Sequence, residues 1–216
     1  MAFMRIYGLS HLVTPLYYFL HAIFVGGPFV LFGLLVIVFQ IRLQRKLSFL
    51  SRKDGLTGLN NRRTFFESAD LRRKECKGGV LLLIDADNFK RINDTYGHLV
   101  GDAILVAVVS AIYGQIRQDD TLSRYGGEEF ALILPGTPLT SAKKLMVRLK
   151  DRIAAISHTL ENKQLVSVTA SIGIASLDGS KHFEYPSNLV KAADLALYAA
   201  KNSGRNQIIE WNSSLN

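Results

Sequence analysis

Residues 124–130 read Arg-Tyr-Gly-Gly-Glu-Glu-Phe. Leu122 and Tyr125 lead into the two glycines, and an apolar run from Phe130 to Leu134 leaves them. Two short apolar segments around a glycine pair form a β-hairpin, here with a turn bare of side chains and an exit carrying two acids. Gly126 and Gly127 are free to take positive φ and to let a ligand approach the backbone closely. Neighbours on an extended backbone point to opposite sides, so Glu128 and Glu129 face different ways. One can meet a metal ion while the other meets a different group. A lone Gly-Gly-Glu-Glu would be an ordinary turn with solvated acids; its weight comes from what surrounds it.

Upstream, Val80–Ile84 is an unbroken aliphatic run, as a buried central strand requires, and it delivers Asp85 and Asp87 at its end. A strand-end carboxylate beside a hairpin bearing Glu128 makes a site for a hard cation. Mg²⁺ prefers a few carboxylates, waters and substrate phosphates to a full protein cage. Two such ions lower the charge on a triphosphate and activate a hydroxyl. Ile104–Ile116 and Ala142–Ile156 carry helical periodicity, and Leu165–Ile174 alternates as a strand does. From Asn60 the coarse order is helix, strand, helix, helix, strand, strand, helix, strand, helix, strand. That order predicts an α/β fold with helices covering a mixed sheet.

The formal charge of +8 is unevenly placed. Residues 1–53 hold six basic residues (Arg5, Arg42, Arg45, Lys46, Arg52, Lys53) and no acid. The remaining 20 basic and 18 acidic residues nearly cancel. The excess therefore flanks an apolar segment, which fits the positive-inside rule and argues against a nucleic-acid-binding face. A single cysteine, Cys76, excludes an intrachain disulfide and suits a reducing compartment. There is no Cys/His cluster of metal-binding spacing.

Leu12–Leu43 is almost wholly apolar, interrupted by His21, Gln40, Arg42 and a Gly26-Gly27-Pro28 break. It is too long for the core of a cleaved signal peptide. About 20 helical residues cross a bilayer. Two readings stand: one tilted or kinked helix over roughly Leu16–Ile41, or a hairpin turning at Gly26-Gly27-Pro28. Five basic residues from Arg42 to Lys53 against Arg5 alone favour the single span with its C-terminus in the cytosol. Both readings leave the rest of the chain in the cytosol. Gln40–Lys53 is a short, basic, amphipathic connector in which Leu43, Leu47 and Leu50 recur at spacings of four and three. The pattern suits a short coiled-coil seam between protomers or a plain helical linker.

Other motifs fall in order around the hairpin. Asp54-Gly-Leu-Thr-Gly-Leu-Asn-Asn-Arg-Arg63 comes first, then Asp85-Ala-Asp-Asn-Phe-Lys90, Asn93-Asp94 and Tyr96-Gly-His-Leu-Val-Gly-Asp102. After it come Ala170-Ser-Ile-Gly-Ile-Ala175 and Ala193-Asp-Leu-Ala-Leu-Tyr-Ala-Ala-Lys-Asn-Ser-Gly-Arg-Asn206. From Asp54 to about Trp211 the chain resembles the GGDEF family, the diguanylate cyclases, with Glu in the third position. The resemblance implies a palm-like fold similar to class III nucleotidyl cyclases and polymerase palms. It divides the chain into a membrane segment (1–43), a basic linker helix (44–53) and a cyclase domain (54–212).

The resemblance also assigns roles. Asp85 and Glu128 would ligate two Mg²⁺ ions per half-site, for which Mn²⁺ substitutes, assisted by the backbone carbonyl of Ala86. The family usually carries a larger aliphatic at that position, and a backbone ligand makes the departure immaterial. Glu129 would sit near the attacking 3′-hydroxyl or the second metal, as a third catalytic acid. Asn93 and Asp102 match the guanine-recognising residues: a carboxylate accepts from N1–H and the exocyclic amine, and an amide pairs with the base edge. Alone, Asn93 would be a helix cap and Asp102 an acid at a helix start. Phe89 and Lys90 match a turn whose amides contact phosphates at a helix N-terminus. Gly126 and Gly127 admit the substrate, and Lys201 and Arg205 match the late basic pair that neutralises its phosphates. His98 is structural.

Arg117-Gln-Asp-Asp120 stands five residues before Gly126, the spacing of the family's inhibitory product site, and Arg148 falls where a second arginine contributes. Arginine holds a phosphate or a guanine edge bidentately, and Asp accepts from guanine. The implied activity joins two GTP molecules into cyclic di-GMP and two pyrophosphates between two protomers facing about a two-fold axis. Its place is the bacterial inner membrane, with the catalytic domain in the cytosol. The alternative is a silent module that binds GTP or cyclic di-GMP and signals by contact. Such modules lose a metal ligand or the hairpin acids, and Asp85, Glu128, Glu129, Lys201 and Arg205 are all present here.

Overall fold

The computed structural model of the protein describes residues 10–50, 52–75, 78–177 and 186–212, and Leu215. Arg5 and Cys76 lie outside them, as do the side chains of Leu47 and Leu50, on which a coiled-coil seam would rest. The chain divides into two compact units, Met1–Ser51 and Arg52–Asn216.

The first unit is helical throughout its described length. Helix α1 (Ser10–His21) passes through a π-helical turn (Ala22–Gly26) into helix α2 (Gly27–Leu50). The Gly26-Gly27-Pro28 break is therefore not a hairpin. Gly27 stays in the right-handed helical region and donates its N–H to the carbonyls of Ala22 and Ile23. Pro28 has no N–H to give, and the chain absorbs the missing bond in one widened turn rather than reversing. Pro15–Gln44 is the one stretch, among the described residues, long and apolar enough to cross a membrane. Its 30 residues span about 45 Å at 1.5 Å per residue, more than the roughly 30 Å of bilayer hydrocarbon, so a tilted crossing fits.

The second unit is built on a six-stranded mixed sheet. Its strands are β1 (Asn60–Asn61), β2 (Gly79–Ala86), β3 (Thr121–Arg124), β4 (Glu129–Pro135), β7 (Ala170–Leu177) and β8 (Ile208–Glu210). Their order is β1-β3-β4-β2-β7-β8. Strand β2 lies at the centre, antiparallel to both β4 and β7, as its aliphatic run requires. Its residues alternate between two cores. Val80, Leu82 and Ile84 pack with Ile104, Leu105 and Ile112 of helix α5 (His98–Tyr113) and with Met146 and Leu149 of helix α6 (Leu139–Ala154). Leu81 and Leu83 pack the other way, with Phe65 of helix α3 (Arg62–Glu75) and with Ala193 and Leu197 of helix α7 (Pro186–Asn202). Gly173 is needed in this second layer, because a Cβ there would strike the backbone of Ala193 and Leu197.

The alternating run Leu165–Ile174 is not one strand. It breaks after β6 (Leu165–Ser167), which pairs with β5 (Ser157–Thr159) in a separate two-stranded ribbon. The main sheet resumes at Ala170. At the break, the Thr169 carbonyl accepts the Asp87 N–H at 2.8 Å, so the chain changes partners there.

Candidate active site

The end of β2 and the β3–β4 turn meet because β2 and β4 are antiparallel neighbours. Asp85 stands opposite Glu129 in the register, and the Ala86 N–H donates to the Glu128 carbonyl at 3.2 Å. The hairpin closes with the N–H groups of Tyr125 and Gly126 both donating to the Glu129 carbonyl, at 2.8 and 3.2 Å. Neither turn glycine is left-handed. Gly126 is instead closely approached by a side chain: a Cβ there would stand 2.5 Å from Oε2 of Glu129. The Glu129 carboxylate thus folds back across the bare turn. Gly127 has open space around it.

Asp85 is buried, and its carboxylate receives Nζ of Lys201 at 2.7 Å. Burial pushes its pKa up to about 6. The Lys201 hydrogen bond and charge oppose this, and the charges of Glu128 and Glu129 add to it. The Lys201 ammonium thus pairs with Asp85, on which Glu128 and Glu129 act as neighbouring like charges. Lys201, expected to face phosphates, is here the partner of the strand-end acid. Among the described residues no three His, Cys, Asp or Glu side chains form a ready cage. The surplus negative charge and all-oxygen donors suit a hard divalent cation that completes its shell with water and phosphate. Asp85, Glu128 and the Ala86 carbonyl are the donors at this corner that could hold one.

Helix α4 (Phe89–Tyr96) starts just past this corner, after Asn88 in the left-handed region at φ 55°. Phe89 is buried at its first position and Lys90 is exposed at its second. Asn93 lies within the helix, so it is not a cap. Its Oδ1 is buried and has no hydrogen-bond partner. It is pressed against Gly101 of α5, where a Cβ would fall on Asn93 Oδ1 and within 3.0 Å of the Phe89 ring. Asp102, next to Gly101, is half-buried in the second turn of α5 rather than the first. Asn93 Oδ1 is thus a buried acceptor left unpaired against Gly101, the neighbour of Asp102 in sequence. His98 is exposed at the start of α5. Arg205 follows α7, exposed, with φ 64°.

Sequence reasoning gave no role to Arg124 or Asp54. Arg124 donates Nε and Nη2 to the Gly127 carbonyl at 3.0 and 2.7 Å, and Nη1 to both oxygens of Asp54 at 3.0 and 3.1 Å. Asp54 also accepts from the N–H and hydroxyl of Thr57, at 2.8 and 2.6 Å. Burial alone would raise the Asp54 carboxyl; these hydrogen bonds outweigh it and hold the group below its ordinary value. Only 16% of the Arg124 side chain and 22% of the Asp54 side chain are exposed, so the pair is largely screened from water. Tyr125 seats the same turn on α3, edge-on to Phe65 at 5.7 Å and 4.4 Å beneath the Arg62 guanidinium. The start of the domain is thereby fastened to the acidic turn.

Away from this corner, Arg117, Asp120 and Arg148 line one cavity of about 220 Å³, with Ser141 and Lys144 beside them. The Arg117 N–H donates to Asp120 Oδ2 at 2.7 Å. Burial raises the Asp120 carboxyl above its usual value, against the opposing effect of Arg117. The three residues are brought together as the spacing implied, and Lys144 adds a cation that the spacing did not reveal.

A mixed sheet whose central strand ends in a buried acid beside an acidic turn, with helices on both faces, is an α/β domain of the palm type. Residues 51–207 match the family described as "Diguanylate cyclase, GGDEF domain", and the chain belongs to that family. It is 40% identical over 169 residues to the probable diguanylate cyclase DgcC of Escherichia coli, covering 76% of this chain and 44% of that protein. It is 37% identical over 195 residues to the diguanylate cyclase DgcM of the same organism, covering 85% of this chain and 46% of that protein. The chain thus spans less than half the length of these two curated relatives. The GGDEF domain of DgcB from Caulobacter crescentus, solved in complex with c-di-GMP, superposes with a TM-score of 0.69 at 31% identity. That match covers 74% of this chain and 95% of the DgcB domain.

Proposed function

We propose that the chain is a membrane-tethered diguanylate cyclase. It condenses two GTP molecules into cyclic di-GMP and releases two pyrophosphates. The observation that carries this reading is the buried Asp85, paired with Lys201 and set beside Glu128 and Glu129 of the Gly-Gly-Glu-Glu turn, in a chain of the GGDEF family.

Asp102 accepts from guanine N1–H and the exocyclic amine, and the unpartnered Asn93 Oδ1 accepts a further donor from the base. The amides at Phe89 and Lys90 open a helix toward the phosphates. Lys201 and Arg205 supply cations to the same groups, and the bare backbone at Gly126 and Gly127 leaves room for the substrate. Glu129, folded over Gly126, faces the attacking 3′-hydroxyl. Two Mg²⁺ ions, or Mn²⁺ in their place, held by Asp85, Glu128 and the Ala86 carbonyl, would neutralise the triphosphate and acidify that hydroxyl. Each protomer holds one GTP, so two protomers must face each other for either 3′-hydroxyl to reach the other's α-phosphate.

Residues 1–43 anchor the chain in the bacterial inner membrane, 44–53 form the basic linker, and 54–212 form the cyclase domain in the cytosol. Product binds at Arg117, Asp120 and Arg148 and restrains the enzyme. The activity is tested by incubating the full chain, in lipid vesicles, with GTP and Mg²⁺. One cyclic di-GMP per two pyrophosphates is expected. Nucleotide left intact, or hydrolysed to GDP, contradicts the reading.

A further inference from the structure

Asp85 and Asp87 leave the same strand two residues apart, and a sequence view offers both to a metal. The structure separates them. Asp87 is buried, and both its oxygens are engaged. Oδ1 accepts the Ser171 hydroxyl at 2.6 Å. Oδ2 accepts the Thr169 hydroxyl at 2.7 Å and the Asn206 backbone N–H at 2.9 Å. A carboxylate with three short donors has little left for a cation.

The third donor points to its purpose. Arg205 and Asn206 both have positive φ, at 64° and 48°. Two successive left-handed residues that are not glycine are disfavoured and persist only where the surroundings impose them. Gly204, at φ 112°, begins the turn. The Arg205 N–H donates back to the Ala200 carbonyl at 3.1 Å, which closes the end of α7. Immediately beyond Asn206, the Gln207 carbonyl accepts the Ile172 N–H at 2.8 Å as β8 joins the sheet. Between these two fixed points, the Asp87 carboxylate takes the one amide that follows Arg205.

We infer that Asp87 is a positioning residue: its carboxylate clamps the left-handed Arg205–Asn206 turn and so sets the Arg205 guanidinium for the substrate phosphates. The inference rests on the phosphate-binding role proposed above for Arg205. The strand end thus divides its labour, with Asp85 facing Lys201 and the acidic turn and Asp87 closed around the turn that carries the late cation. Thr169 and Ser171 orient the clamp; the same Thr169 sits where the chain leaves β6 for β7.

Two measurements on the full chain test this. The first is hydrogen exchange at the Asn206 amide. It is expected to be slow in the parent and about tenfold or more faster in Asp87→Asn, where one neutral amide oxygen, a weaker acceptor, must replace the two carboxylate oxygens that take three donors. Unchanged exchange overturns the clamp whatever the nucleotide does. The second is binding of a GTP analogue with a methylene between the α- and β-phosphorus, which cannot release pyrophosphate, compared with guanosine. Asp87→Asn is expected to weaken the analogue about tenfold while leaving guanosine unchanged, and to weaken it no further in an Arg205→Ala background. Equal loss for analogue and guanosine, or additive losses in the double variant, overturns the positioning role. If Asp87→Asn does not fold, Thr169→Val removes one clamp donor and carries the same two tests, with a loss of about threefold. A parent that binds no analogue contradicts the cyclase reading alone; the exchange measurement then still decides the clamp.

Discussion

The acid corner and the Arg117 cavity are opposites in charge and burial. At the first, the buried Asp85 pairs with the Lys201 ammonium and has the charges of Glu128 and Glu129 beside it. At the second, Arg117, Lys144 and Arg148 gather around one carboxylate, that of Asp120, and all three cations are exposed. Both suit phosphates, by different routes. The acid corner needs an intervening cation, because carboxylates repel phosphate. A basic cavity can hold phosphate directly, and its charges screen as those of a surface site do. The proposed chemistry and the proposed restraint should therefore be separable: a change at one site should leave the other working.

The largest break comes from the corner itself. Asp85→Asn or Glu128→Gln should lower kcat by roughly 10³-fold or more, since a lost metal ligand acts on the transition state and not on packing. Circular dichroism should remain that of the parent. Arg124→Ala should cost about 10²-fold in kcat, because it frees the Gly127 carbonyl and unfastens the turn from Asp54. It should also lower the melting temperature, which Asp85→Asn should not. Asp102→Ala should raise KM for GTP by an amount corresponding to about 1–3 kcal/mol, the cost of an unmet pair on a buried base edge. Gly101→Ala should do the same by displacing Asn93, and equal KM values would remove both from the base pocket.

The pH response sharpens the contrast. The Asp85 pKa is raised from 3.8 to about 6, so the folded state holds this proton more tightly than the unfolded chain. Stability of the cation-free protein should therefore fall as pH rises through that interval, and level off above it. Activity should do the reverse, with an acid limb near pH 6 that moves lower as Mg²⁺ is raised, because proton and cation compete for one carboxylate. A limb independent of Mg²⁺ would detach Asp85 from the metal. The smallest effect on basal turnover is expected at the cavity. Arg117→Ala and Asp120→Ala should leave it near that of the parent while relieving inhibition by product, with Arg148→Ala milder.

Much of this was legible because the motifs are local. The aliphatic run Val80–Ile84 dictated the central strand, and the acids at its end and at the turn came with it. The Arg124–Asp54 clasp was not legible, since its partners are 70 residues apart and either acid or base alone reads as a surface charge. The return of the Glu129 carboxylate over Gly126 is also a contact that no periodicity reveals. The break at Val168–Thr169 was hidden beneath the alternation, because Thr169 bonds to Asp87 in the turn after β2. Likewise, Gly26-Gly27-Pro28 has the composition of a turn, and only the hydrogen bonds of Gly27 show that the helix continues.

The separation of the two sites is tested most directly by one paired assay. Cyclic di-GMP synthesis by the parent, Asp85→Asn and Arg117→Ala is followed with and without added product, at two GTP concentrations. The account predicts no synthesis by Asp85→Asn, near-parental synthesis by Arg117→Ala, and inhibition that product imposes on the parent alone and that more GTP does not overcome. Synthesis by Asp85→Asn, or inhibition of Arg117→Ala as strong as that of the parent, would contradict it.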